Sequence, residues 1–272
     1  MRDWPLPNEA QTCALSELLL GETGVCLGHD RAQWMRDRLE SLFSRAGLDD
    51  WQQVLRRVDH DTRFRHQVIE LLLTQETSWF RDPALFSHLP SVFRGQGGGR
   101  IGRQRLGFLG CATGQEVYST LIALDQAGLL GDGVQSPVLA LDVSQRAVQV
   151  ARRGCYSLAQ MQRGMSRELM AQYFQCSGDE CCISPGLRQW VEFRQGSLLN
   201  LGAIGRFDLL FCRNVLVYFP PELRALTQQR LLEHLNPGAI LVLGGSEKPV
   251  GPVADCLERV VLGASHVYRY RP

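Results

Sequence analysis

The stretch from Leu106 to Tyr118, LGFLGCATGQEVY, constrains this chain more than any other. Leu106, Phe108 and Leu109 form a short apolar run that reads as a buried strand. Gly110 and Gly114 bracket a turn, and from Gln115 the pattern becomes helical, with Val117, Leu121 and Leu124 three to four residues apart. A strand, a glycine-bearing turn and a helix make the front of a βαβ nucleotide-binding unit. Glycines let backbone N–H groups approach a ligand, and the start of a helix carries partial positive charge. The spacing is Gly-x-x-x-Gly and not G-x-G-x-x-G, and glycines at such turns also serve purely steric ends. The rest of the chain decides between the two readings.

Downstream, Val138 to Leu141 is a second apolar strand ending at Asp142, and Ser144 caps a helix carrying Ala147, Val148 and Ala151. Val191 to Phe193, FDLLFC at 207–212, Ala239 to Leu243 and His266 to Arg271 read as further strands, and Pro221 opens a helix with Leu223, Leu226, Leu231 and Leu232. Strands alternating with helices predict a doubly wound α/β domain. Before residue 90 or so no strand is visible. Short helices are expected at Leu15 to Leu19, after Asp30 with Met35, Leu39, Leu42 and Phe43 inward, and from Asp49 through Val58. A longer helix starts near Thr62, runs into TQETSWFRDP and stops at Pro83. The glycine- and arginine-rich FRGQGGGRIGRQR is read as a join. The expected organisation is therefore a helical domain over 1–92, a linker over 93–105 and an α/β domain over 106–272, with an insertion at 156–190.

Across 272 residues the net charge is only +1, which excludes a dominant nucleic-acid surface. No apolar run is long enough to span a membrane and no signal peptide is visible, so a soluble protein with no direct membrane insertion is expected. The nine cysteines include no C-x-x-C, Cys26 and His29 form a lone C-x-x-H, and Cys176, Cys181 and Cys182 lack histidines at ligand spacing. No metal site is expected. Cys111 and Cys212 sit in apolar runs as small buried hydrophobes, and a reducing, cytoplasmic home is the simplest inference.

Candidate chemistry gathers at strand ends. Asp142, closing the second strand, can accept hydrogen bonds from ribose hydroxyls or simply cap the next helix. It lies farther from Gly110 than the ~20 residues of a dinucleotide fingerprint, which disfavours a nicotinamide cofactor. CRNVLVYF places Arg213, Asn214 and Tyr218 at the same sheet edge. Arg31, Arg38 and Arg45, seven apart, form a stripe that is either a solvated helix edge or a docking surface for an acidic helical partner.

Four segments together resemble the chemotaxis receptor methyltransferases, the CheR family: TQETSWFRDP at 74–83, GCATGQEVYS at 110–119, ALDVSQRAVQVARRGCYS at 140–157 and FDLLFCRNVLVYF at 207–219, with weaker echoes at 36–50 and in GGSE at 244–247. The resemblance implies a class I S-adenosylmethionine-dependent methyltransferase fold, Rossmann-like with a mostly parallel sheet, preceded by an all-helical domain and carrying a small inserted β-subdomain. It implies a monomeric cytoplasmic enzyme that methylates glutamate side chains of methyl-accepting chemoreceptors, yielding S-adenosylhomocysteine. By position, Gln75, Thr77 and Arg81 would reach the cofactor, together with Gly110 in the glycine turn. Glu116 would meet the methionine amino group, Asp142 the ribose, and Ser197 and Leu198 the adenine. Arg213 and Asn214 would line the pocket, and Arg81 and Tyr218 would stand nearest the transferred methyl. Arg31, Arg38 and Arg45 would face receptor helices. Gln75, Gln115, Ser197 and Trp79 depart from the residues usual in the family.

The implied chemistry asks for positioning more than proton transfer. A glutamate, with an ordinary pKa of about 4.3, is already ionised at neutral pH and needs no general base to attack a sulfonium methyl. The rival readings are a catalytically inactive cofactor-binding module that docks on receptors, and a class I methyltransferase with another protein acceptor.

Overall fold

The computed structural model describes residues 4–28, 31–95, 104–130, 138–262 and 265–272. Asp30 and His29, the expected helix cap and half of the C-x-x-H, lie outside them, as does most of the 93–105 segment. No described helix is long and apolar enough to cross a membrane.

The chain forms two compact units, Met1–Thr74 with Tyr218–Pro220, and Gln75–Val217 with Pro221–Pro272. In the first, α1 (Glu9–Thr23), α2 (Ala32–Arg45), α3 (Trp51–His60) and α4 (Thr62–Leu72) pack around Leu15, Leu19, Met35, Leu39, Phe43, Val54 and Phe64. Capping explains several of the boundaries. Asn8 and Gln11 form a capping box, Gly24 closes α1 in the left-handed conformation, and Asp50 and Asp61 cap α3 and α4. The Phe43 ring meets Trp4 and Trp51 at 4.9 and 5.0 Å. Arg31, Arg38 and Arg45 are exposed on α2 and at its cap, yet Arg38 donates from Nη1 to the carbonyls of Leu71 and Leu73 at 3.1 and 3.2 Å, which ties it to the end of α4. The helix expected from Thr62 to Pro83 stops at Leu72, and Pro83 instead opens α5 (Pro83–Gly95). Proline suits the first turn of a helix because its missing N–H would be unpaired there anyway.

In the second unit α5 contributes Leu85, Leu89 and Phe93 to the core shared with the sheet, so this unit begins at Gln75. The chain then runs β1 (Leu106–Leu109), α6 (Gln115–Gln126), β2 (Val138–Asp142), α7 (Gln145–Arg153), β3 (Cys155–Ser157), α8 (Leu158–Met161), α9 (Arg167–Tyr173), β4 (Phe174–Ser177), β5 (Glu180–Ile183) and α10 (Pro185–Arg188). It continues through β6 (Val191–Gln195), β7 (Phe207–Cys212), α11 (Pro221–Glu233), β8 (Leu235–Leu243), β9 (Leu257–Leu262) and β10 (Ser265–Tyr270). The main sheet has the order β6-β2-β1-β7-β8-β10-β9, parallel from β6 to β8, with β10 antiparallel to both of its neighbours. Every residue of β1 and β2 is buried, as expected of strands covered on both faces. Phe108 and Phe211, partners in register, stack at 4.4 Å. The sheet is Rossmann-like and mostly parallel, as expected.

The 156–190 insertion folds as a second sheet, β3-β5-β4, antiparallel throughout. It holds two disulfides, Cys155–Cys182 and Cys176–Cys181, which the cysteine spacing alone does not predict. Cys111 and Cys212 are free and buried, as expected.

Candidate functional site

Strand order reverses on either side of β1, and open α/β sheets take ligands at such a point, outside the carboxyl ends of the strands. Here the residues leaving β1, β2, β6 and β7 converge within the second unit. Gly110 has φ +81°, and a Cβ on it would lie 2.2 Å from Val215 Cγ2, so the β1 turn and the loop after β7 touch with no room for a side chain. The amides of Gly110 and Cys111 donate to the Leu141 carbonyl at 2.8 and 3.0 Å, locking this turn to β2.

Asp142 is buried, and its two oxygens accept from the amides of Ala112 at 2.7 Å and Ser144 at 2.9 Å. Its carboxylate therefore faces the glycine turn. Helix α7 is capped instead by Ser144, whose Oγ accepts from Ala147 N at 3.0 Å, which removes the capping explanation for Asp142. A carboxylate oxygen accepts more than one hydrogen bond, so both remain suited to ribose hydroxyls. The amide of Gly196 donates to the Asp142 carbonyl at 2.9 Å and pins the Ser197–Leu198 loop beside it.

Arg213, at the end of β7, is the electrostatic centre. Its side chain is 3% exposed and pairs with Glu116 Oε1 through Nη1 and with Asp82 Oδ2 through Nη2 at 3.3 Å. Nη1 also reaches the Arg81 carbonyl at 3.4 Å. One guanidinium thus gathers the first turn of α6 and the Arg81–Asp82 turn. Burial raises the Glu116 carboxyl above the usual carboxylate range, against the opposing pull of Arg213. The Arg81 head is exposed and donates to the Glu76 carbonyl at 3.4 Å.

The segment bearing Gln75, Thr77 and Arg81 is braced from beneath. Trp79 is buried edge-on against Tyr156 at 4.9 Å and Phe174 at 5.3 Å, and the Phe80 amide donates to Ser119 Oγ at 3.0 Å. Gln75 Nε2 is buried with no hydrogen-bond partner, the condition of a donor that a ligand satisfies. Phe80, Asp82, Ala112 and Asn214 hold φ between 46° and 77°, and all four lie in these segments; such backbone strain concentrates at functional sites.

Glu247, which closes the GGSE turn and was not among the expected site residues, organises the β7 loop. It is 4% exposed; its Oε2 accepts from the amides of Asn214 at 2.8 Å and Gly244 at 2.7 Å, and its Oε1 from Val215 at 3.0 Å and Val217 at 3.2 Å. Tyr218 follows directly on this loop and groups with the first unit, 39% exposed, its carbonyl accepting from Cys26 N at 2.8 Å. Arg213, Glu116 and the Arg81–Asp82 turn are joined by direct bonds, as are Asp142 and the glycine turn. For Gln75 and Thr77 the link is the shared segment.

Residues 75–256 match the family described as CheR methyltransferase, SAM binding domain, and that span holds all of these second-unit residues. The chain belongs to the CheR methyltransferase family. It is 32% identical over 259 residues to chemotaxis protein methyltransferase 1 of Pseudomonas aeruginosa, covering 90% of this chain and 92% of that one. It is 33% identical to chemotaxis protein methyltransferase Cher2 of Pseudomonas putida, covering 82% and 85%. With the chemotaxis protein methyltransferase of Vibrio parahaemolyticus it shares 29% identity over 94% of this chain and 95% of the other. Among solved structures, the N-methyltransferase NodS of Bradyrhizobium japonicum with S-adenosyl-L-homocysteine overlaps 81% of this chain and 98% of that one at TM-score 0.41 and 15% identity.

The cofactor of this CheR family member is S-adenosylmethionine, and the residues fit it. A buried carboxylate faces the glycine turn, a second stands in the first turn of α6, and Gln75 offers an unpaired donor.

Proposed function

We propose that this protein transfers the methyl group of S-adenosylmethionine to glutamate side chains of chemoreceptors in the cytoplasm, giving glutamate methyl esters. The observation that carries the reading is the Arg213 network, which fixes Glu116 and the Arg81 turn around the sheet edge while Asp142 faces the glycine turn. The relatives' names point the same way, each being called a chemotaxis protein methyltransferase.

In this reading Asp142 holds the ribose, Ser197 and Leu198 flank the adenine, and Glu116, kept in place by Arg213, takes the methionine ammonium. Gln75 and Thr77 close over the cofactor, and Gly110 and Asn214 shape the pocket floor. The bound cofactor supplies an electrophilic methyl on a sulfonium. The protein has only to strip water from the acceptor carboxylate and align it, because that carboxylate is already an anion. Arg81 fixes one carboxylate oxygen and Tyr218 sets the approach. A very strong ion pair with Arg81 would stabilise the ground state and slow the reaction, so both residues act mainly by positioning. Docking on receptor helices falls to Arg31 and Arg45 more than to Arg38, whose head is committed to α4.

The test is incubation with methyl-labelled S-adenosylmethionine and a receptor cytoplasmic fragment. Label that base releases as methanol, mapped to glutamates, supports the proposal. Tight cofactor binding without label favours an inactive docking module, and base-stable label favours another acceptor chemistry.

A further inference from the structure

The small sheet carries four cysteines in two opposed pairs. Cys155 on β3 faces Cys182 on β5, and Cys176 on β4 faces Cys181 on β5, with Cα atoms 3.9 and 4.0 Å apart. Successive strand residues point to opposite faces, so the neighbours Cys181 and Cys182 bridge in opposite senses. Cys182 and Cys155 share the outer face with Glu180. Cys181 and Cys176 share the inner face with Tyr156, Phe174 and Ile183, where Cys181 is fully buried. The central strand is thereby tied to both neighbours, once on each side. The free cysteines among the described residues, 13, 26, 111, 212 and 256, lie elsewhere in the chain.

We propose that these four cysteines are a reversible oxidation site: two dithiols that a hydroperoxide converts into two cross-strand bridges. In the inner pair Cys176 is exposed and Cys181 buried, which orders the steps. The Cys176 thiolate attacks the peroxide oxygen, breaking the O–O bond and giving a sulfenic acid and one molecule of alcohol or water. The Cys181 thiol then attacks that sulfur, forming S–S and releasing water. Each bridge consumes one peroxide and two thiol hydrogens, and a small dithiol reverses it by exchange. The outer pair follows the same course with both sulfurs half-buried.

The location gives oxidation something to act on. The inner bridge lies on the face whose Tyr156 and Phe174 rings hold Trp79, and Trp79 sits between Thr77 and Arg81. Locking β3 and β4 to β5 stiffens the platform beneath that segment. The outer bridge spans 27 residues and the inner only 5, so the outer one constrains the subdomain more strongly when it opens. The Cys155 and Cys182 sulfurs and a Glu180 oxygen also lie within 4.8 Å of one another. Glu180 is however committed to Arg153 through both oxygens at 2.7 Å, and two thiols fall short of the four ligands of a structural zinc site.

The experiment takes the full chain, reduces it, removes the reductant and titrates it with hydrogen peroxide. The expected result is a mass loss of two hydrogens per bridge, non-reduced peptides joining 155 to 182 and 176 to 181, and reversal by dithiothreitol. Amide exchange should slow over 155–183 and 74–83 on oxidation, an effect that Cys155→Ser with Cys176→Ser abolishes. Sulfinic or sulfonic products without bridges, scrambled pairs, or zinc uptake by the reduced protein that blocks oxidation would each overturn the proposal. Any change in methyl transfer rests on the function proposed above. Correct bridges and slowed exchange in a protein that transfers no methyl would sink that function and leave the oxidation site standing.

Discussion

Replacing Glu247 by glutamine keeps the side chain's volume and removes its charge. One carboxylate oxygen serves Asn214 and Gly244 and the other serves Val215 and Val217. A glutamine offers one oxygen, so one pair of amides keeps an acceptor and the other pair faces an NH₂ group, donor against donor. Two charge-assisted hydrogen bonds at about 1.5–3 kcal/mol each are lost, about 3–6 kcal/mol gross. Relief from burying a carboxylate offsets part of this, leaving a net cost of about 2–4 kcal/mol. If that cost falls on the loop alone, its opening equilibrium shifts by about 30- to 700-fold. Hydrogen exchange at Asn214, Val215 and Val217 should accelerate by that factor, cofactor affinity should fall with it, and urea unfolding should show whether the remainder of the domain shares the loss. Wild-type protection at those amides in Glu247→Gln would refute the reasoning.

Tyr218→Phe should lower turnover about tenfold, the worth of one hydrogen bond of about 1–1.5 kcal/mol, with cofactor affinity nearly intact; calorimetry beside a methyl-transfer assay separates the two. Glu116 has a raised pKa in the fold, so it takes up a proton as pH falls before an ordinary carboxylate does. Cofactor affinity should drop as that proton binds, and the drop should be absent in Glu116→Gln. The same raised value means that stability falls as pH rises through the window between the unfolded and folded values, a slope that Glu116→Gln removes in urea titrations at several pH values. Gly110→Ala meets both a left-handed backbone and Val215 at 2.2 Å, and should cost about 2–4 kcal/mol in urea unfolding. Adding Val215→Ala should restore only the steric part.

Local patterns carried much of the fold. Continuous apolar runs at Leu106–Leu109, Val138–Leu141 and Phe207–Cys212 became β1, β2 and β7, because strands buried on both faces have no alternative composition. Asp142 was legible because it ends such a run. Non-local features were hidden. Glu247 in a GGSE turn looks like any solvated acid until tertiary structure brings four amides to it. The cysteine pairs depend on strand register, which spacing does not encode. The break between α4 and α5 was missed because a proline ends one helix and begins another with equal ease. Strand β9, LERVVL, carries charge early in its run and gave no expectation.

The proposed cofactor site depends on Asp142 facing a nucleoside across the glycine turn, and calorimetric titration of S-adenosylhomocysteine into wild type and Asp142→Asn tests that directly. With charge-assisted bonds of about 1.5–3 kcal/mol at stake, the variant should bind about 10- to 150-fold more weakly while wild type binds one equivalent. Equal affinity in the two proteins, with the variant fully folded, would contradict it.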